Sequence, residues 1–70
     1  MLYAVVAERL KQAHARVRAL NVSDETRVAL VRRLLIVTES AKRDLPAAAW
    51  RLGRIVADLD AGRLPPSPGR

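Results

Sequence analysis

The stretch Arg33–Thr38 reads RLLIVT, and its four consecutive apolar residues leave two fold classes open. On a helix, successive side chains are separated by about 100°, so four apolar neighbours cannot all face one core. The stretch is therefore either a short β-strand or part of a helix that exposes at least one apolar side chain. The residues on either side of it distinguish these two structures.

The flanking residues of RLLIVT favour a helix. Ser23 is a typical N-cap residue, and Asp24 and Glu25 would lie in the first turn, where acidic side chains meet the positive end of the helix dipole. At the other end, Glu39 and Arg43 have the i, i+4 spacing of a stabilising ion pair. We therefore predict a helix from Asp24 to Arg43.

A strand at RLLIVT would instead require the N-terminal stretch LYAVV as its pairing partner. An isolated two-stranded hairpin is scarcely stable in water, so this pairing would have to be completed by helices. A mixed α/β fold is accordingly the alternative to the all-helical one.

On the N-terminal side, apolar residues recur alternately three and four positions apart, which is typical of helices that pack lengthwise on one another. These positions are Tyr3, Val6, Leu10, Ala13, Val17 and Leu20. We predict a helix from Leu2 to Leu20. The same seam suits packing within one chain or a coiled coil between two chains.

On the C-terminal side, Pro46 predicts the first turn of a third helix. Amides in the first turn of a helix have no carbonyl partner within it, so a proline, which has no amide hydrogen, is tolerated there. Asp44 or Leu45 would be the cap. The helix would continue to Ala61, with Gly62 in a left-handed conformation at its end.

These elements predict an all-α domain over residues 1–62, a small three-helix bundle with a long central helix. The domain would be dimeric if two chains cover each other's exposed apolar surface. The Pro-rich residues 63–70 would form a flexible tail. A 70-residue chain without cysteine has no disulfide to stabilise it, so tight helix packing or oligomerisation must supply its stability.

Helical periodicity also predicts which side chains form the core. On the second helix the core arc holds Val28, Leu30, Val31, Leu34, Leu35, Val37, Thr38, Ala41 and Leu45. On the third helix it holds Leu45, Ala48, Ala49, Leu52, Ile55, Val56 and Leu59. Ile36 and Trp50 fall on the opposite, polar sides.

Two interpretations fit the exposed Ile36 and Trp50. Single exposed apolar residues are common on monomeric proteins, and Trp50 would then lie flat over the turn near Pro46. Alternatively they belong to a protein interface, since Trp and Arg are frequent anchors there. The expected interface consists of Ile36, Trp50, Arg51, Arg54 and Ala57.

The chain carries a formal charge of +6, and eleven of its thirteen basic residues are arginine. This charge favours acidic partners, so nucleic-acid binding is the alternative to protein binding. The candidate phosphate contacts are Arg16, Arg18, Arg32, Arg33 and Arg43. No helix-turn-helix with short helices and no aromatic RNA-binding motif accompanies them.

Catalytic signatures are not found in the sequence. The single histidine, His14, has no carboxylate one turn away, and the three glycines form no phosphate-binding loop. We therefore expect a protein that is not an enzyme, with no cofactor, metal or small-molecule substrate, that binds another protein or a second copy of itself.

The start of the chain has neither the basic segment nor the cleavage site of a signal peptide, which predicts a cytoplasmic location. No apolar run approaches the ~18 residues of a membrane span. Adsorption of this cationic domain to anionic lipid is the further alternative, and the acidic residues scattered over its polar faces argue against it.

Overall fold

The fold is seen in a computed structural model that describes residues 2–64, with side chains from Tyr3 onward. Three helices account for most of this range: α1 (Leu2–Ala19), α2 (Asp24–Ala41) and α3 (Leu45–Asp60). Residues 2–64 contain no β-strand, and RLLIVT lies within α2. The all-α three-helix prediction is confirmed, and the α/β alternative is wrong.

Side-chain caps begin the second and third helices where the sequence predicts them. Ser23 Oγ accepts a hydrogen bond of 3.2 Å from the Thr26 amide, and Asp44 Oδ1 accepts one of 3.2 Å from the Ala47 amide. Each bond satisfies an amide in a first turn, where no helical carbonyl is available. Pro46 occupies the first turn of α3, as expected.

Gly62 ends α3 in the predicted left-handed conformation, with a φ of 74°. The Gly62 amide donates to the Leu59 carbonyl at 3.2 Å, and the Arg63 amide donates to the Asp58 carbonyl at 2.8 Å. This pair of bonds is the Schellman arrangement, which satisfies carbonyls of the last turn and strongly favours glycine at the residue with positive φ.

The end of α1 is closed by an arginine from α2. The Arg27 guanidinium donates hydrogen bonds to the carbonyls of Val17 at 2.8 Å and Arg18 at 3.0 Å, with a longer one of 3.4 Å to Val22. Carbonyls in the last turn of a helix have no amide partner within that helix. Arg27 therefore links α1 to α2 and supplies those partners.

The core lies along the common axis of the three helices, and each helix contributes three buried apolar side chains. They are Val6, Ala13 and Val17 from α1, Leu30, Leu34 and Val37 from α2, and Ala48, Leu52 and Leu59 from α3. Helix α2 packs against both other helices, as predicted for the central one, and α1 and α3 also contact each other.

The last turn of α2 differs from the prediction. The helix ends at Ala41, and Lys42 is its C-cap, because the chain must turn within three residues to enter α3. Glu39 forms its ion pair with Lys42, at 3.2 Å, and not with Arg43. At 18 residues α2 is as long as α1.

Three residues that periodicity assigns to the core are exposed. Leu35 is 52% exposed and Val28 is 50% exposed, because each lies at the edge of an arc wider than the sector that α1 and α3 cover. Tyr3 is exposed beside Ala41, where α2 ends and leaves the first turn of α1 uncovered.

The predicted tail begins with two residues that still contact the helices. Leu64 is half-buried against the core, and Arg63 forms an ion pair of 3.0 Å with Asp58. The remainder of the predicted tail, residues 65–70, lies outside the described residues.

None of the helices found in residues 2–64 has the length and apolar character needed to cross a membrane.

Candidate functional site

The candidate site is a groove between α2 and α3, made of two adjoining depressions that share Ile36 and Arg51. One depression is lined by Leu35, Ile36, Glu39, Ser40, Arg43, Asp44, Ala47 and Arg51. The other is lined by Arg33, Ile36, Val37, Trp50, Arg51, Arg54, Ile55 and Asp58. Together these residues define the α2–α3 groove.

The short turn between α2 and α3 produces this arrangement. It makes the two helices antiparallel neighbours, so residues at similar distances from the turn lie opposite one another. Ile36 on α2 accordingly lies near Arg51 on α3. The Arg51 guanidinium donates a hydrogen bond of 2.8 Å to Ser40 Oγ and so links the two walls of the groove.

Large apolar side chains are concentrated in this groove. Ile36 is 61% exposed and Trp50 is 65% exposed, and Leu35 lies beside Ile36. The other large apolar side chains exposed in the described part of the chain are Tyr3, Val5 and Val28, which lie outside the groove. The groove thus combines an apolar floor with walls set on two helices.

The groove has an uncompensated positive charge. Four arginines line it, Arg33 and Arg43 from α2, and Arg51 and Arg54 from α3. None of these four has an ion pair within residues 2–64. Arg54 lies over the Trp50 ring, which holds one cation against the apolar surface.

The carboxylates of the groove are already engaged. Glu39 forms its ion pair with Lys42, and Asp58 forms its ion pair with Arg63. Asp44 caps α3 by accepting from the Ala47 amide. Glu39 and Asp58 are thus paired with cations other than the four groove arginines, and Asp44 is the one lining carboxylate without such a pair within residues 2–64. The lining therefore keeps an excess of positive charge.

Four of the five predicted interface residues are brought together in the groove: Ile36, Trp50, Arg51 and Arg54. Ala57 is exposed on α3 but is not among the residues that line it. Leu35 was missed as a groove residue because its position at the edge of the apolar arc assigned it to the core.

The five predicted phosphate contacts are not brought to one surface. Arg33 and Arg43 line the α2–α3 groove, whereas Arg16 pairs with Asp60 at 2.6 Å between α1 and α3. Arg32 lies in a separate depression, and Arg18 is exposed near the end of α1. Asp24 and Glu25 lie beside Arg32 and reduce its attraction for phosphate.

The side chains that could bind a metal ion do not form a cluster in the described range. Residues 2–64 contain no group of three or more His, Cys, Asp or Glu side chains that could hold a metal ion. His14 is half-buried on α1, outside the α2–α3 groove.

Comparison of the chain with protein-family models, with curated proteins and with solved structures finds no match.

Proposed function

We propose that this chain is a non-enzymatic protein-interaction domain that docks a short segment of another protein in the α2–α3 groove. The observation that carries the proposal is the convergence of Leu35, Ile36 and Trp50, three exposed large apolar side chains, in one groove with four arginines. Trp and Arg are enriched among the residues that dominate binding energy at protein interfaces.

Apolar surface that the free domain leaves exposed can stabilise a complex when a partner covers it. Covering apolar surface contributes about 25 cal/mol for each Å² removed from water. Ile36 and Trp50 keep most of their surface exposed, so this free energy is still available to a partner. Both side chains stand on helices that a packed core holds in place, which limits the entropy lost on binding.

The size of the groove favours a short segment over a whole domain face. Stable interfaces between folded domains bury at least about 1,000 Å², and weaker, transient contacts bury less. The described groove follows α2 only from Arg33 to Arg43. An adaptor that binds one helical or extended segment reversibly fits this extent.

Three expectations from the sequence remain predictions under this proposal: self-association, nucleic-acid binding as the alternative function, and a cytoplasmic location. The distribution of the five candidate phosphate contacts over separate surfaces makes nucleic-acid binding the weaker of the two functions. Protein binding uses residues that share one groove.

A titration with a neutral amphipathic peptide tests the proposal. The probe is a side-chain-cross-linked helix of about three turns with leucines at i, i+3 and i+7, glutamine elsewhere and no aromatic residue. Trp50 is the only tryptophan of the chain, so its fluorescence reports on the groove directly. We expect a blue shift on binding and reduced quenching by acrylamide.

The matched variants are Ile36→Ser in the groove and Val28→Ser outside it, both at exposed apolar positions of α2. Ile36→Ser should weaken the peptide several-fold, and Val28→Ser should leave its affinity unchanged. Equal effects of the two substitutions, or no binding by the wild-type domain, would overturn the proposal.

A further inference from the structure

We infer that the segment that docks in the α2–α3 groove is an acidic amphipathic helix of a different protein. This inference rests on the proposed function and specifies the chemistry of the partner. Two properties of the groove carry it, the placement of its charges and its length.

The charges line both walls. Arg33 and Arg43 stand on α2, three residues before and seven residues after Ile36, and so share its side of the helix. Arg51 and Arg54 stand on α3 and line the groove together with Trp50. An occupant that complements this pattern presents apolar side chains and carboxylates on the same side. Because Glu39 and Asp58 pair with Lys42 and Arg63, acidic side chains of the partner would meet arginines that have no ion pair within residues 2–64.

The length of the groove corresponds to about three helical turns. From Arg33 to Arg43 the groove follows α2 for roughly 15 Å, at a rise of about 1.5 Å per residue. An amphipathic helix of that length presents apolar side chains at i, i+3 or i+4, and i+7, the usual spacing of helices bound in grooves. These anchors would contact Leu35, Ile36 and Trp50.

A second copy of this chain is a poorer occupant. A two-fold dimer through this face would bring the arginines of two grooves into one interface, with no excess of carboxylates to meet them. Each copy also carries a formal charge of +6. Like charges directly opposed across an interface oppose association.

A single-stranded nucleic acid also fits the groove less well. It shares the negative charge, but its bases bind chiefly by stacking on aromatic rings, and Trp50 is the only aromatic residue that lines the groove. Leu35, Ile36 and Ile55 offer apolar surface that a phosphate backbone does not use. An acidic amphipathic helix would contact both this apolar surface and the groove arginines.

The experiment compares three cross-linked helical peptides of equal length that share the leucine stripe and carry glutamate, glutamine or lysine at the flanking positions. Cross-linking keeps all three helical, so that only charge differs among them. Affinities come from Trp50 fluorescence with the wild-type domain and with two charge reversals on adjacent residues, Arg33→Glu and Arg32→Glu. Arg33 lines the groove, whereas Arg32 is exposed in a separate depression.

We expect the glutamate peptide to bind most tightly and the lysine peptide least tightly. Arg33→Glu should weaken the glutamate peptide about tenfold, since it removes one attraction and adds one repulsion, and should strengthen the lysine peptide. Arg32→Glu changes the net charge equally but should alter either affinity less than about threefold, because it lies outside the groove.

Three results of the peptide titrations would overturn this inference: equal affinities of the three peptides, equal effects of the two charge reversals, or displacement of the glutamate peptide by an oligothymidylate with a steep, log-linear salt dependence. Sedimentation that shows dimers blocked by Arg33→Glu would likewise assign the groove to a second copy. If all three peptides bind equally and need Ile36, the proposed function stands without this inference. If no peptide binds, the proposed function fails as well.

Discussion

The Arg54 guanidinium lies over the Trp50 ring, with 5.4 Å between Arg54 Cζ and the ring centroid. The two residues are one helical turn apart on α3, so the contact forms within the helix and does not need the core. It orients the largest side chain of the chain along the α2–α3 groove without burying it, since Trp50 remains 65% exposed. Trp50 therefore contributes little to packing, and its exposed ring is available to the proposed partner.

Trp50 is exposed and Leu52 is buried on the same helix, so their substitution should lower the free energy of unfolding by different amounts. Trp50→Ala should lower the free energy of unfolding by about 1 kcal/mol or less, chiefly through loss of the contact with Arg54. Leu52→Ala should lower it by about 2–5 kcal/mol, because Leu52 is fully buried and its truncation leaves a cavity. Urea denaturation followed by circular dichroism measures both, and a large loss for Trp50→Ala would show that Trp50 belongs to the packed core.

Arg27 should contribute more to stability than Arg18, the exposed arginine whose carbonyl it binds. Arg27→Met keeps much of the side-chain stem but removes the donors to the α1 carbonyls, so we expect a loss of about 1.5–3 kcal/mol. Arg18→Met, at an exposed position near the end of α1, should change stability by about 0.5 kcal/mol or less. Thermal denaturation of the two variants at one salt concentration makes the comparison, and similar midpoints would contradict the capping role of Arg27.

The glycines of α3 and its C-terminal turn should respond to alanine in opposite directions. A Cβ added at Gly53 would meet nothing within 4 Å, so Gly53→Ala should stabilise the helix by up to about 1 kcal/mol. Gly62 has a φ of 74°, and Gly62→Ala should destabilise the domain by about 1–2 kcal/mol. Midpoints of urea denaturation measure both, and stabilisation by Gly62→Ala would contradict the left-handed turn.

Local signals in the sequence predicted most of the fold. Ser23, Asp44 and Gly62 act through bonds to neighbours a few residues away, so their roles follow from residue type and position. The exposure of Ile36 and Trp50 follows from helical periodicity, since both lie opposite the buried faces of their helices.

Contacts between helices were not predictable in the same way. Arg27 reaches the end of α1 across the interhelical turn, and nothing in the local pattern distinguishes it from other exposed arginines. Leu35 was assigned to the core because periodicity gives the direction of a side chain but not the width of the sector that neighbouring helices cover. The antiparallel register of α2 and α3, which brings Ile36 beside Arg51, depends on their short connection and not on the periodicity of either helix.

Docking in the α2–α3 groove is tested most directly by a map of amide chemical-shift changes in the ¹⁵N-labelled domain on addition of the glutamate peptide. We expect the largest changes on both walls of the groove, at Ile36, Ser40, Arg51 and the Trp50 indole, and no change at Val5 and Val28. Changes centred on the exposed face of α1 or around Val28, with the groove unaffected, would contradict it.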